Sequence, residues 1–360
     1  MKRFNSIATL ILAGAALVSL AGCQEKERIA RGRAVSFKIT SGNHDTRAGY
    51  SGVVADGHER INWANGDLVR IYCSAAKYGI ENSNSAPTLG GDQDQKYADY
   101  SISGVTDDGR YSDAKINSST GSDGKQLLWG DNVQHDFYAV YPSPAATSSW
   151  VSSLSDNTVI GTVKEGQSGD GLFSDGMVMV AQKSIASPQG LTDSFNSEVF
   201  LQFQPITTAI KFSIKNGQGA AITVTRVELV SENRPLSGQF KYEIGSGAVF
   251  DTDISADKTV YISKSATLAA NKEGDPYEFT FLLRPDDDLD DLSIVVTTNT
   301  PGLTYTAKLQ DKDGPYTFKA GSKTEIKGVV LEKWLTIQSI SFTGSDDLRE
   351  EPTVDEEILF

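Results

Sequence analysis

The stretch Ala34-Val35-Ser36-Phe37-Lys38-Ile39-Thr40 alternates apolar and polar residues without a break. Val35, Phe37 and Ile39 fall on one face, and Ser36, Lys38 and Thr40 on the other. That is the period of a half-buried strand. Upstream, Lys2 and Arg3 precede an apolar run from Ile7 to Val18, and Leu20-Ala21-Gly22-Cys23 follows. The run is too short to span a bilayer as a mature helix. A basic start, an apolar run and small residues before a cysteine together form an export signal with a lipobox. Residues 1–22 are therefore expected to be removed, and Cys23 to carry lipid on its thiol. By the sorting rule of exported lipoproteins, Gln24 in place of an aspartate favours the outer membrane. Downstream, Thr46-Arg47-Ala48-Gly49 is a polar turn carrying an arginine open to a protease. A strand anchored to lipid on one side and followed by a basic turn reads as a strand meant to be removed, so residues 23–47 form a leader.

The same alternation recurs along the chain, broken by turn residues. Arg60-Ile61-Asn62-Trp63 meets the turn Asn65-Gly66-Asp67, and Leu68 to Tyr72 and Asp136 to Pro142 read as strands. Met177 to Ala181 reads as a short buried strand. Residues 182–196 are poor in apolar side chains and predict a linker. A second series of about ten short strands follows, from Val199-Phe200-Leu201-Gln202-Phe203 to Thr324–Leu331. Few stretches carry a helical period, so the chain is expected to be all-β, with a sandwich in the second half. Past Trp334, Leu335-Thr336-Ile337 alternates, the period slips at Ser339, and Ile340-Ser341-Phe342 alternates again. The segment 344–357 is acidic and turn-prone. A strand-like tail thus lies beyond an apparently finished domain.

Bulk properties exclude several functions. The 360 residues carry a formal net charge of −14, which rules against nucleic acid as a partner, since phosphates need a basic surface. His44, His58 and His135 lie far apart, and no metal-ligand spacing is present, so no metal or other cofactor is expected. With Cys23 lipidated, Cys73 is left without a disulfide partner and is expected as a buried, inert thiol. The acidic run Asp286 to Asp291 lacks the glycine and final glutamate of an EF-hand loop and reads as a solvated turn. No pair of carboxylates stands out for glycoside hydrolysis, and scarce histidine removes most general-base schemes, so no catalytic residue is assigned. Trp63 and Trp129 fall in strand patterns and are expected in the core. Trp150 sits in a polar loop and is the tryptophan best suited to surface recognition.

Taken together, several of these pieces resemble the fimbrillin family of bacterial pilins, also called type V pilins. They are the lipobox ending at Cys23, Thr46-Arg47-Ala48, and Ile61-Asn62-Trp63 followed by Gly66 to Tyr72. Phe137 to Pro142 comes next, then Leu201-Gln202-Phe203 through Ala209-Ile210-Lys211-Phe212. Pro235-Leu236-Ser237-Gly238, Phe281 to Pro285 and Phe318-Lys319-Ala320-Gly321 complete the set. The order of the pieces, over nearly the whole chain, carries the resemblance. Gln204-Pro205-Ile206 departs from it, where many members carry a histidine.

The resemblance implies two transthyretin-like β-sandwich domains in tandem, at 48–190 and 191–334, with a C-terminal donor-strand tail at 335–360. It implies a lipoprotein precursor at the outer membrane, cut by an arginine-specific surface protease, with Arg47 as the cleavage residue. Arg28, Arg31 and Arg33 are rival sites, but cutting there would leave strand 34–40 in place. Removal of the strand bearing Val35, Phe37 and Ile39 would then open a slot. The tail of another fimbrial subunit, with Leu335, Ile337, Ile340 and Phe342 as its apolar residues, would fill that slot. The competing reading is a monomeric, lipid-anchored adhesin or glycan-binding lipoprotein, recognising a host or bacterial ligand. A donor's tail should lie extended or loosely docked, whereas a monomeric binder's tail should pack in its own sheet.

Overall fold

The computed structural model describes residues 34–41, 50–55, 58–61, 63–82, 85–89, 93–103, 105, 114–119, 125–168, 176–186, 198–250, 257–286, 288–300, 303–311, 314–330 and 335–343. Cys23, Arg47 and the tail beyond Thr343 lie outside these residues, as does the side chain of Phe342.

The expected all-β architecture is what the chain adopts. In the first body, seven strands pair into a closed ring. Their order is Ser36–Ser41, Glu198–Pro205, Met179–Ala186, Gln134–Tyr141, Leu68–Tyr72, Tyr97–Ser103, Ala114–Ser119 and back to Ser36–Ser41. Period-two burial runs through them, as in Tyr97–Ser103, where Ala98, Tyr100 and Ile102 turn inward. The turn before Leu68–Tyr72 works as its residues predict. Gly66 takes a φ of 95°, and the Ala64 amide donates to Asp67 Oδ2 at 2.8 Å.

The second body is a two-sheet sandwich. One sheet runs Tyr277–Leu283, Thr208–Asn216, Lys323–Val330, Leu335–Thr343; the other runs Thr259–Ile262, Ile222–Ser231, Leu292–Thr298, Thr304–Lys308. Residues of both sheets, among them Phe212, Leu229, Phe281 and Ile294, share one core.

Two expectations move. The strand at Glu198–Pro205 pairs inside the first ring, with Met179–Ala186 and Ser36–Ser41, rather than opening the second body. Val199, Leu201 and Phe203 point into the first core, and burying them there outweighs their nearness in sequence to the second series. The passage between bodies therefore falls near Ile206-Thr207, not near residue 191. In addition, Val151–Ser155 and Thr158–Val163 from the first half form a sheet with Gly238–Glu243 and Val249–Phe250 from the second. Gly161 faces Phe240 across that sheet, where an added Cβ would sit 2.5 Å from the phenyl ring. Gln167 adds a second tie. Its side chain donates to the Leu282 carbonyl at 2.7 Å and accepts from the Leu282 amide at 2.9 Å.

Candidate functional site

The strand Ser36–Ser41 closes the ring, so it has a neighbour on each side. It runs parallel to Glu198–Pro205 over six residue pairs, from Ser36 opposite Glu198 to Ser41 opposite Phe203. It runs antiparallel to Ala114–Ser119, with Phe37, Lys38 and Ile39 opposite Ile116, Lys115 and Ala114. The pairing begins earlier still: the Val35 amide donates to the Leu127 carbonyl at 3.0 Å, and Ala34 bridges Leu128. A cut at Arg33 or before it would leave all of these contacts on the chain.

Its inward face is apolar, as the alternation requires. Val35, Phe37 and Ile39 are buried in the first core. The Phe37 ring meets Tyr100 edge-on at 5.2 Å and Phe137 at 5.4 Å. Burial of the three side chains contributes about 5–9 kcal/mol before ordering costs. The Tyr100 hydroxyl accepts the Leu127 amide at 2.7 Å, and full burial pushes its phenol upward. On the outward face, Lys38 Nζ stands 3.4 Å from Glu198 Oε2 and 5.4 Å from the centroid of the half-exposed Phe200 ring.

A buried imidazole lies behind this wall. His135 Nε2 accepts the Gly130 amide at 3.0 Å, between Trp129 at 5.0 Å and Phe137 at 6.1 Å. Burial lowers its pKa, against a weaker opposing pull from Asp136. The folded protein therefore resists a proton that the unfolded chain takes up near pH 6.5. Stability should be full above about pH 6.5 and fall as the pH drops below it, by about 1.4 kcal/mol per pH unit while only the unfolded chain titrates. Urea midpoints from pH 8 to 5 test this, and His135→Gln should flatten that part of the profile.

The tail strand Leu335–Thr343 is the second element of the site. Leu335, Ile337 and Ile340 are buried in the second core, and the strand pairs along its length with Lys323–Val330. The tail is thus packed in its own sheet, not extended or loosely docked. Among the described residues it occupies the end of that sheet, with one strand neighbour. The slip at Ser339 is a β-bulge: Gly328 faces Ile337, Lys327 faces Ser339, and Gln338 is the extra residue. The bulge brings Leu335, Ile337 and Ile340 to one face despite their uneven spacing.

Other residues take structural places. Trp63 and Trp129 are core residues, as expected. Trp150 is buried too, not on the surface, because Gly176 leaves room against its ring. Cys73 is buried, and desolvation pushes its thiol up to about 11, which keeps it protonated and inert at neutral pH. In the acidic run, Asp286 and Asp288 pair with Arg234 at 3.9 and 3.5 Å. Asp291 accepts from the Ser231 hydroxyl and the Asn233 amide, both at 2.6 Å.

The sequence model of a family described as fimbrillin-like matches residues 46–344. No curated protein matches the chain. Among solved structures, a candidate cell adhesion protein from Bacteroides ovatus superposes with a TM-score of 0.52 at 15% identity, over 89% of this chain and 99% of that one. A second, from Bacteroides uniformis, gives a TM-score of 0.50 at 14% identity, over 86% and 98%. At such identities the two likenesses show the fold.

Proposed function

This chain belongs to the fimbrillin-like family, and from that premise we propose that it is exported as a lipoprotein, cut after Arg47 and polymerised by exchange of strands. Membership makes it a pilus-type structural or adhesion subunit of the cell surface, not an enzyme. The proposed route runs from lipid on Cys23 at the outer membrane to an arginine-specific protease that severs 23–47 from the rest. The subunit then joins other fimbrial subunits, the same or related, and an adhesion ligand on a host or bacterial cell is its proposed target.

The observation that carries this reading is the position of Ser36–Ser41. It is one strand of a closed ring, with ladders on both sides and three buried apolar residues. Taking it out exposes two rows of unpaired N–H and C=O groups and an apolar trough, which another strand can satisfy together. Head-to-tail joining of this kind gives an open filament. N-terminal sequencing of the subunit from sheared surface fibres tests the cut. The expected first residue is Ala48, and a subunit in fibres that still begins at Cys23 sinks the proposal.

The docked tail favours the second reading, a monomeric lipid-anchored adhesin. The two separate on whether the tail must leave its sheet. Glu325 and Ser341 face each other across the last pair of strands. A Glu325→Cys, Ser341→Cys chain, once oxidised, has its tail clamped. If the tail is the donor, the oxidised protein assembles no fibres and reduction restores them. Equal assembly in both redox states would leave the tail with no donor role.

A further inference from the structure

We infer that the slot closed by Ser36–Ser41 is shaped to take a strand from a different subunit and discriminates against this chain's own tail. The inference rests on the strand-exchange reading and adds partner choice to it. The slot holds three buried apolar side chains at strict alternation, Val35, Phe37 and Ile39, with an aromatic ring at the centre. The pairing with both neighbours is regular, without a register shift. An occupant must therefore offer apolar residues at i, i+2 and i+4.

Residues 335–360 contain no such triplet. Leu335 and Ile337 are followed at the third place by Ser339. Ile340 and Phe342 are preceded by Gln338 and followed by Gly344. Ile358 and Phe360 are preceded by Glu356. In its own sheet the tail brings Leu335, Ile337 and Ile340 to one face only through the bulge at Gln338. A bulge is tolerated there because, among the described residues, the strand has one strand neighbour. Between two ladders the extra residue would break the register on both sides. Without it, Ser339 comes to lie in an apolar pocket with its hydroxyl unsatisfied.

The outward face adds a preference. Lys38 lies against Glu198 and the Phe200 ring, with Lys115 opposite it in register on the other side. A single base at the place next to the central aromatic fits Glu198 and Phe200. The tail has Gln338 or Ser341 in the equivalent places, and 335–360 carries Arg349 as its one base against seven acids. The partner that fits is thus an extended segment of apolar–polar–aromatic–basic–apolar pattern from another protein.

The test uses the full mature chain, cut by an arginine-specific protease, with labelled peptides and fluorescence anisotropy. Peptide 34–41 reports whether the slot can be refilled. Peptide 335–343 and its Ser339→Ile form, which restores strict alternation from Leu335, report the selection. Peptide 34–41 and the Ser339→Ile peptide should bind, with the native tail peptide tenfold or more weaker. Equal binding of the native tail and peptide 34–41, or no gain from Ser339→Ile, overturns the selection while leaving strand exchange standing. Failure of peptide 34–41 to bind overturns both.

Discussion

An Arg47→Ala chain is expected to accumulate as lipidated monomers and to form no fibres, even with the protease present. While the leader is attached, its strand is an intramolecular ligand of the slot, with an effective concentration on the order of millimolar for a short flexible tether. A strand arriving from solution at micromolar concentration cannot compete with it. Cutting after Arg47 turns the bound strand into a separate peptide. On the proposed route, dilution would make the loss of that peptide final and leave the slot to the next subunit. Arg28, Arg31 and Arg33 cannot substitute, since each precedes Ala34, the first residue of the described pairing, so a cut there leaves the strand attached. The loss of assembly should be all but complete. Electron microscopy of the surface and immunoblotting of the uncut precursor measure it together. Normal fibres from Arg47→Ala, in the presence of the protease, would remove Arg47 as the switch.

Phe37→Ala should cost the first body about 3–5 kcal/mol of stability. Phe37 is fully buried and touches the Tyr100 and Phe137 rings edge-on, so the truncation opens a cavity against two rigid neighbours. Phe37→Leu keeps most of the volume and should cost on the order of 1 kcal/mol. The two bodies have distinct core clusters, so the loss should fall first on the first body and reach the second only through the shared sheet and through Ala209 and Leu282, which pack into the first core. Urea unfolding followed by Trp63 and Trp129 emission reads the first body. A shift below about 1 kcal/mol for Phe37→Ala would mean that the leading strand is not held by its apolar face.

The elements that were legible in the sequence are those in which one face is buried. Val35 to Ile39, Leu68 to Tyr72 and Ala209 to Ile214 alternate because water lies on one side and core on the other. Even the break at Ser339 was visible as a slipped period, and it is the bulge. What could not be read was partnership. Nothing in Val199-Phe200-Leu201-Gln202-Phe203 says that its ladder partner is Ser36–Ser41, some 160 positions earlier. Alternation specifies a face and not a neighbour. The same limit hid the sheet shared by 158–163 and 238–243, and the docking of the tail on Lys323–Val330. Trp150 misled for a different reason. Its neighbours in sequence are mostly polar, but the close contact on its ring comes from Gly176.

The sheet that joins Thr158–Val163 to Gly238–Glu243 has a mechanical meaning. Six consecutive residue pairs and the Gln167–Leu282 tie cross between the halves of the chain, so the halves are not beads on a string. A pull applied at the slot in the first body and resisted at the tail in the second is shared between the covalent backbone and these cross-links. These cross-links oppose separation of the two halves under such a pull. In a filament built by the proposed strand exchange, stretch would then concentrate at the joints between subunits, where an inserted strand would carry the load.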